Sequence, residues 1–477
     1  MPSIDAGMRQ DHPALALSSA RALGVAAPMR WHFLALCAYL AGQAYLIPLV
    51  AKGPSWAIWP RIADLAIGAL FLAYMAWLPT GEAVSPVHRR ILGSLVVGCG
   101  YCCVSFAVFT MIRPSLYGSP LPSDKASVWG VYQLVRLVQF TFLFYAVSAV
   151  PLGRARQGAL ATITAAVLVL LCALVPLTYF GAIDHRALVA HLPDDPGTAG
   201  PWASFGAAGD SGLGTISYNH AYVGCQLILL FVLRLSLTAT RFDWINASLL
   251  VLTCLAVFLS GSRASFGAML VLAATCMWLW TKLGHMRAIV SIAAMGCAVA
   301  LIVTLAPSRQ MPASVGSVLG ENDEILARQF STFQGYEAEN LSGRTEIWSD
   351  RIRFLNEEPL CWVFGSGFGS AVSSGAQGHM LPLNTVLEIG AIGLLVGLVV
   401  LLRIMTALWR MEPPGRPVFW GTVALLITSL TQETFYPVPA MGHFPGFYLF
   451  TVAIALRLAA DASVDESSLR ASEATED

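Results

Sequence analysis

Arg136, Asn219, His220, Arg263, Arg344, His379 and Glu388 are the residues of this chain whose types and positions could do chemistry. Each lies in, or at the edge of, a long apolar stretch or beside a helix that such stretches flank. An ionisable group in that setting is costly and is usually retained for function. Arginine carries a permanent charge and a planar fork of donors that suits phosphate oxygens. Histidine can take a hydroxyl proton near neutral pH. No cysteine or histidine cluster has metal-ligand spacing, no Asp-x-Asp pair stands out in the connecting loops, and no cofactor is expected.

Each residue also has a plainer reading. Arg61 and Asp64 have the i,i+3 spacing of a structural pair, and Arg136 could be a packing counter-charge to Glu388. Arg263, in Gly-Ser-Arg-Ala-Ser-Phe-Gly between two apolar runs, could anchor at the membrane interface. Asn219 and His220 could cap a helix, Glu433 ends the expected eleventh span, and His443 beside Phe444 and Pro445 reads as a loop residue. Ser342-Gly343-Arg344-Thr345-Glu346-Ile347-Trp348 opens an expected helix, capped by Ser342 or Gly343, with Pro359 beyond its end. Ile347, Trp348, Ile352 and Leu355 would form its apolar face. Such a helix could lie on a membrane surface and offer Arg344 and Arg351 to a ligand, or carry them as ordinary surface charges. The loop Gly365-Ser366-Gly367-Phe368-Gly369 could turn its amides toward phosphate, but it has no P-loop lysine, and a plain turn is the better reading. His379 stands just before Pro382-Leu383-Asn384-Thr385-Val386-Leu387-Glu388, where the next apolar run begins.

These residues must be positioned by membrane helices. The chain is 56% hydrophobic and 12% charged, whereas a soluble domain has about 25% charged residues. Its formal net charge of zero gives no reason to expect a nucleic-acid partner. Crossing a bilayer takes about 20 apolar helical residues, and the apolar runs are continuous rather than alternating. The expected spans are 31–51, 55–78, 90–112, 128–150, 158–180, 220–237, 242–261, 263–283, 287–307, 382–404, 418–437 and 444–460, giving an all-α polytopic protein of about 12 transmembrane helices. With a cytoplasmic N-terminal segment 1–30, every inner connection is basic: Arg89 and Arg90, Arg154 and Arg156, Arg234 and Arg241, Lys282 and Arg287, Arg403 to Arg416, and Arg457. Both termini are then cytoplasmic, and two large loops, about 181–219 and 308–381, face outward with the candidate residues. The tail 461–477, rich in Ser, Ala and Glu, is expected to be disordered. Nine of the ten cysteines fall in apolar runs and read as small core residues.

Four segments in this order resemble the O-antigen ligase/polymerase superfamily of bacterial envelope glycosyltransferases. They are Gly214 to Gly224 with its Asn-His pair, Gly261 to Gly267, Ser342 to Trp348, and 365–395 with Gly-x-Gly, His379 and Leu-x-Glu-x-Gly. The resemblance covers about 214–400 within a transmembrane domain of 31–460. One departure is that Met380, rather than Asn, follows His379, and Asn384 comes five residues after the histidine. The resemblance implies a C-type glycosyltransferase fold with a large periplasmic loop in the bacterial inner membrane. It implies transfer of a glycan from an undecaprenyl-diphosphate donor. Arg263 and Arg344 would bind the diphosphate, and His379 would orient or deprotonate the acceptor hydroxyl or assist the leaving group. Asn219, His220, Arg136 and Glu388 would complete the substrate site. Charge placed where the leaving diphosphate develops it is a large catalytic effect, and two arginines can replace a divalent metal, so the reaction is expected to be metal-independent. The acceptor is another lipid-linked repeat in a polymerase, the favoured reading, or lipid A–core in a ligase. Transfer to protein is a rarer option. Membrane lipid, a flippase and a chain-length regulator are the further partners expected. A transporter or lipid-linked glycan flippase is the rival class, but it should carry its charges near the midplane. A receptor or scaffold without chemistry is a third class.

Overall fold

A computed structural model of the protein describes residues 30–49, 59–77, 84–112, 126–179, 182–183, 220–238, 243–282, 284–285, 344–373, 378–411, 413–438 and 442–473. Every regular element among them is helical. Helix α1 covers residues 30–41. The others are α2 (Ile62–Ala76), α3 (Pro86–Ser105, continued by wider turns over Phe106–Ile112), α4 (Ala126–Ala149), α5 (Arg154–Tyr179), α6 (His220–Leu237), α7 (Trp244–Leu259), α8 (Arg263–Lys282), α9 (Arg344–Glu357), α10 (Pro359–Phe364), α11 (Ser370–Ser373), α12 (Leu381–Arg410), α13 (Gly415–Thr428) and α14 (Phe444–Glu473).

Several boundaries follow from local chemistry. Ser85 caps α3 by accepting from the His88 amide, with Pro86 in the first turn, where its missing N–H costs nothing. Asp243 caps α7 by accepting from the Asn246 amide at 2.5 Å. Helix α6 is buried from Tyr222 through Leu237, as expected of a helix that is apolar on all sides. It packs on α5, α7, α8, α13 and α14 and forms the axis of the bundle. Arg234, in its last turn, is satisfied by Ala161 O and Asn246 Oδ1. Helices α3 and α12 pack together, while Val96, Val97, Leu395 and Leu402 point outward, a distribution that suits lipid.

Among the described residues six helices are long and apolar enough to cross a membrane, and three more, Ile62–Ala76, Tyr222–Leu237 and Trp244–Leu259, are apolar but shorter. Helix occurs in eleven of the expected spans, and the ninth, 287–307, lies outside the described residues. Three expectations change. The first span is helical only to residue 41, then passes through a single 3-10 turn, Gly42–Ala44, into irregular chain. The eleventh stops at Thr428, so Glu433 sits in a turn rather than at a helix end. The tail is not irregular from 461, because α14 continues to Glu473. Its Asp461 joins Arg457 at 2.8 Å and accepts from the Leu152 amide ahead of α5.

Candidate active site

His379 is the one non-glycine described residue with positive φ, at 46°. Histidine tolerates this region better than most residues, yet it needs surrounding structure to hold it there. Three hydrogen bonds do so. Asn384 Oδ1 accepts from the Gly378 amide at 3.2 Å, Trp348 Nε1 donates to Gly378 O at 2.8 Å, and the Leu381 amide donates to Ser429 O at 2.9 Å. The asparagine five residues after the histidine thus does the holding. The half-exposed imidazole places Nδ1 3.5 Å from Oε1 of Glu433, which is wholly buried. The Tyr222 hydroxyl, at the start of α6, donates to Glu433 Oε2 at 3.3 Å. Burial works to raise the Glu433 carboxyl, but its contact with His379 outweighs this and holds it below the ordinary carboxylate range. A buried carboxylate behind a half-exposed imidazole can fix the orientation of the ring.

Arg263 opens α8 and Arg344 opens α9, and both are partly exposed. The turn before Arg263 uses Gly261 at φ 75°, and Ser262 Oγ accepts from the Ser265 amide. Ser265 packs so closely on Gly224 of α6 that a Cβ at Gly224 would come within 2.4 Å of it. This contact ties the Arg263 turn to the helix that carries Tyr222. Arg344 is near enough to Tyr222 to act on it electrostatically. The starts of α6, α8, α9 and α12 and the turn after α13 therefore meet at one end of the bundle, with two arginines and the His379–Glu433 pair.

On α9 Phe354 and Leu355 are buried and Ile347, Trp348 and Arg351 half-buried, whereas Ile352, expected on the apolar face, is exposed. Phe354, Leu355 and Cys361 join Leu383, Val386 and Leu387 of α12 in a separate apolar cluster, which docks α9 and α10 beside His379.

Glu388 is fully buried, and both its oxygens are engaged. Oε2 accepts from the Gly369 amide at 3.0 Å and the Tyr436 hydroxyl at 2.6 Å, and Oε1 accepts from the Ala371 amide at 3.0 Å. The Ser366 amide donates to Leu387 O and the Gly367 amide to Glu388 O. The glycine loop thus spends its amides on α12, which makes it a packed turn rather than a phosphate cradle. Close approach explains two of the glycines. A Cβ at Gly365 would lie 2.3 Å from the Glu388 carbonyl, and one at Gly390, where α12 breaks at φ 68°, would lie 2.1 Å from Val363 O.

Arg136 does not pair with Glu388. It binds Asp64 through both terminal nitrogens, and His443 Nε2 lies 3.1 Å from both Arg136 Nη1 and Asp64 Oδ1. The Arg61 side chain reaches Leu46 O and Tyr132 rather than Asp64, which instead accepts from the Arg61 amide as a helix cap. His443 is wholly buried in this network and is not a loop-surface residue. The network ties α2 and α4 to the start of α14. Asn219 lies outside the described residues; His220 begins α6, but its side chain is likewise outside them.

From sequence Glu433 is only an outer polar residue at the end of the eleventh span, with no role assigned, and Tyr436 is not singled out at all. Both lie in an irregular turn, so no periodicity marks them, and the only signal was an ionisable residue next to an apolar run. An apolar cavity of about 270 Å³ begins beside this turn, rimmed by Leu381, Thr385, Phe435 and Tyr436, and runs between α3 and α12 toward Ile404.

Residues 248–396, from α7 to the middle of α12, match a protein-family model described as O-antigen ligase. The match includes Arg263, Arg344, His379 and Glu388 and stops short of Glu433. No curated protein matches the chain.

Proposed function

We propose, on the premise that this multi-pass membrane chain carries an O-antigen ligase-related region, that it is a glycosyltransferase working at the periplasmic face of the bacterial inner membrane, with both termini in the cytoplasm. It moves a glycan from an undecaprenyl-diphosphate donor to an acceptor hydroxyl, without a metal, on a C-type fold. The observation that carries this reading is the half-exposed His379 backed by buried Glu433, at the end of the bundle where Arg263 and Arg344 open their helices. The acceptor hydroxyl gives its proton to His379 as its oxygen bonds to the anomeric carbon. The bond from that carbon to the diphosphate breaks, and the electron pair leaves with the diphosphate. Arg263 and Arg344 meet the developing negative charge, the point at which fixed charge lowers a barrier most. Glu433 keeps the imidazole oriented and offsets its charge once protonated. The apolar cavity beside the site suits a substrate presented on a hydrocarbon carrier.

Polymerase is the favoured assignment and ligase to lipid A–core the alternative. The test is the envelope glycan of a deletion strain complemented with wild type, Arg263→Ala, Arg344→Ala or His379→Ala, with membrane levels checked. The expected result is normal protein level and no restored glycan for all three variants. Single repeats on lipid A in the deletion strain identify a polymerase, and free lipid-linked polymer identifies a ligase. Full restoration by the variants would overturn the site and favour a flippase.

A further inference from the structure

Two polar side chains on α12, Asn384 and Glu388, stand four residues apart and so share a helix face. Both are fully buried, and each grips one of the two segments that carry the His379–Glu433 pair. Asn384 Oδ1 takes the Gly378 amide, the residue before His379, and with the Trp348 indole on Gly378 O it holds His379 at its positive φ. Glu388 Oε2 takes the Tyr436 hydroxyl at 2.6 Å. The Tyr436 amide in turn donates to Glu433 O at 2.9 Å, so Tyr436 closes a tight turn whose first residue is Glu433. Phe368, from the loop that Glu388 also holds, packs on the Tyr436 ring with centroids 6.1 Å apart. Neither Asn384 nor Glu388 is exposed to a substrate.

We infer that Asn384 and Glu388 are positioning residues that use one helix face to set the distance between His379 and Glu433, with Tyr436 as the link on the Glu433 side. Glu388 then acts through the pair rather than on the donor. This inference rests on the glycan-transfer reading above. A 3.5 Å contact between groups on different segments persists only if both segments are fixed to a common support, and the first two turns of α12 are that support. Misplacement of about 1 Å can cost about a hundredfold in rate.

The experiment is a double-mutant cycle on purified full-length protein in lipid nanodiscs. The donor is the undecaprenyl-diphosphate-linked glycan extracted from the deletion strain, with lipid A–core also supplied, and the readout is release of undecaprenyl diphosphate. Tyr436→Phe, which removes one hydroxyl and keeps the ring, is expected to lower kcat about tenfold with donor KM within about twofold. In a Glu433→Gln background the same change is expected to have no further effect, because the geometry it protects has lost its purpose. Asn384→Asp, which keeps the acceptor for the Gly378 amide, is expected to retain activity that Asn384→Leu loses. Equal losses from Tyr436→Phe in both backgrounds, or no loss in either, would overturn the inference, as would equal activity of the two Asn384 variants. If Tyr436→Phe lowers the yield of folded protein, the Asn384 pair decides. His379→Ala run alongside separates the two readings: if it is as active as wild type, the transferase site itself is wrong. If it is inactive while the cycle is additive, only the positioning role fails.

Discussion

The indole N–H of Trp348 donates to Gly378 O across 2.8 Å, joining α9 to the segment that holds His379. Trp348→Phe keeps an aromatic ring against the α9–α12 cluster but leaves that carbonyl without this donor. Losing one such bond costs about 1 kcal/mol, so the protein should fold while kcat falls several-fold, in a nanodisc assay of undecaprenyl diphosphate release with thermal stability measured in parallel. At this scale the sequence was partly legible. Arg263, Arg344 and His379 are candidates from sequence because each is an ionisable group at the border of an apolar run. The Trp348 indole was read as part of an apolar face, and its hydrogen bond depends on a partner 30 residues away. Glu388 looked like a ligand residue because a buried carboxylate and an exposed one are identical in sequence. Only the amides of Gly369 and Ala371 and the Tyr436 hydroxyl show where its charge goes.

Helix α12 is the element on which the site depends, and it is broken at Gly390. Gly390→Ala would set a Cβ 2.1 Å from Val363 O on a backbone at φ 68°. Steric overlap and an unfavourable dihedral together should cost about 2–4 kcal/mol, read as a lower midpoint of thermal aggregation in detergent and a lower yield. Gly397→Ala, where an added Cβ meets open space, is the control and should be neutral. Helix positions were legible because runs of about 20 apolar residues have few alternatives in lipid. Their ends were less so. The eleventh run reads as continuous through Thr434 and Phe435, but the chain turns after Thr428 to bring Glu433 to His379, a long-range contact that no local pattern encodes. The helical start at Arg344 was legible, although its expected caps Ser342 and Gly343 lie outside the described residues, while the outward turn of Ile352 was not, since the buried face is set by where α9 meets α12.

The molecule as a whole places a polar cluster at one end of an apolar bundle and an apolar cavity directly beside it. If that cavity serves a lipid-linked donor, narrowing it should weaken donor use without touching the chemistry. Gly397 lines the cavity and has open space at its Cβ position. Gly397→Leu should raise donor KM several-fold with kcat and stability near wild type, in titrations against the extracted lipid-linked glycan; an unchanged KM would mean the cavity does not serve the donor. Membrane character was plain from composition, because 12% charged residues cannot cover a soluble surface of this size. The second network, Arg136 with Asp64 and His443, was not legible as a unit, because its members come from two helices and a turn spread over the chain. It fastens α2 and α4 to the start of α14.

The order in which the chain is made gives the Glu388 arrangement a further meaning. A charged residue on a helix entering the bilayer is costly to insert, though less so near an end, where Glu388 stands, than at the centre. The Gly369 and Ala371 amides that receive Glu388 precede it in the chain and are already synthesised when α12 is released from the ribosome. Those two amides can therefore meet the carboxylate as it enters, and the Tyr436 hydroxyl joins them only after α13 has followed. A carboxylate that must wait for its third partner makes correct insertion of the C-terminal helices a condition for closing the site, so a chain truncated before Tyr436 would be left with an unfinished one.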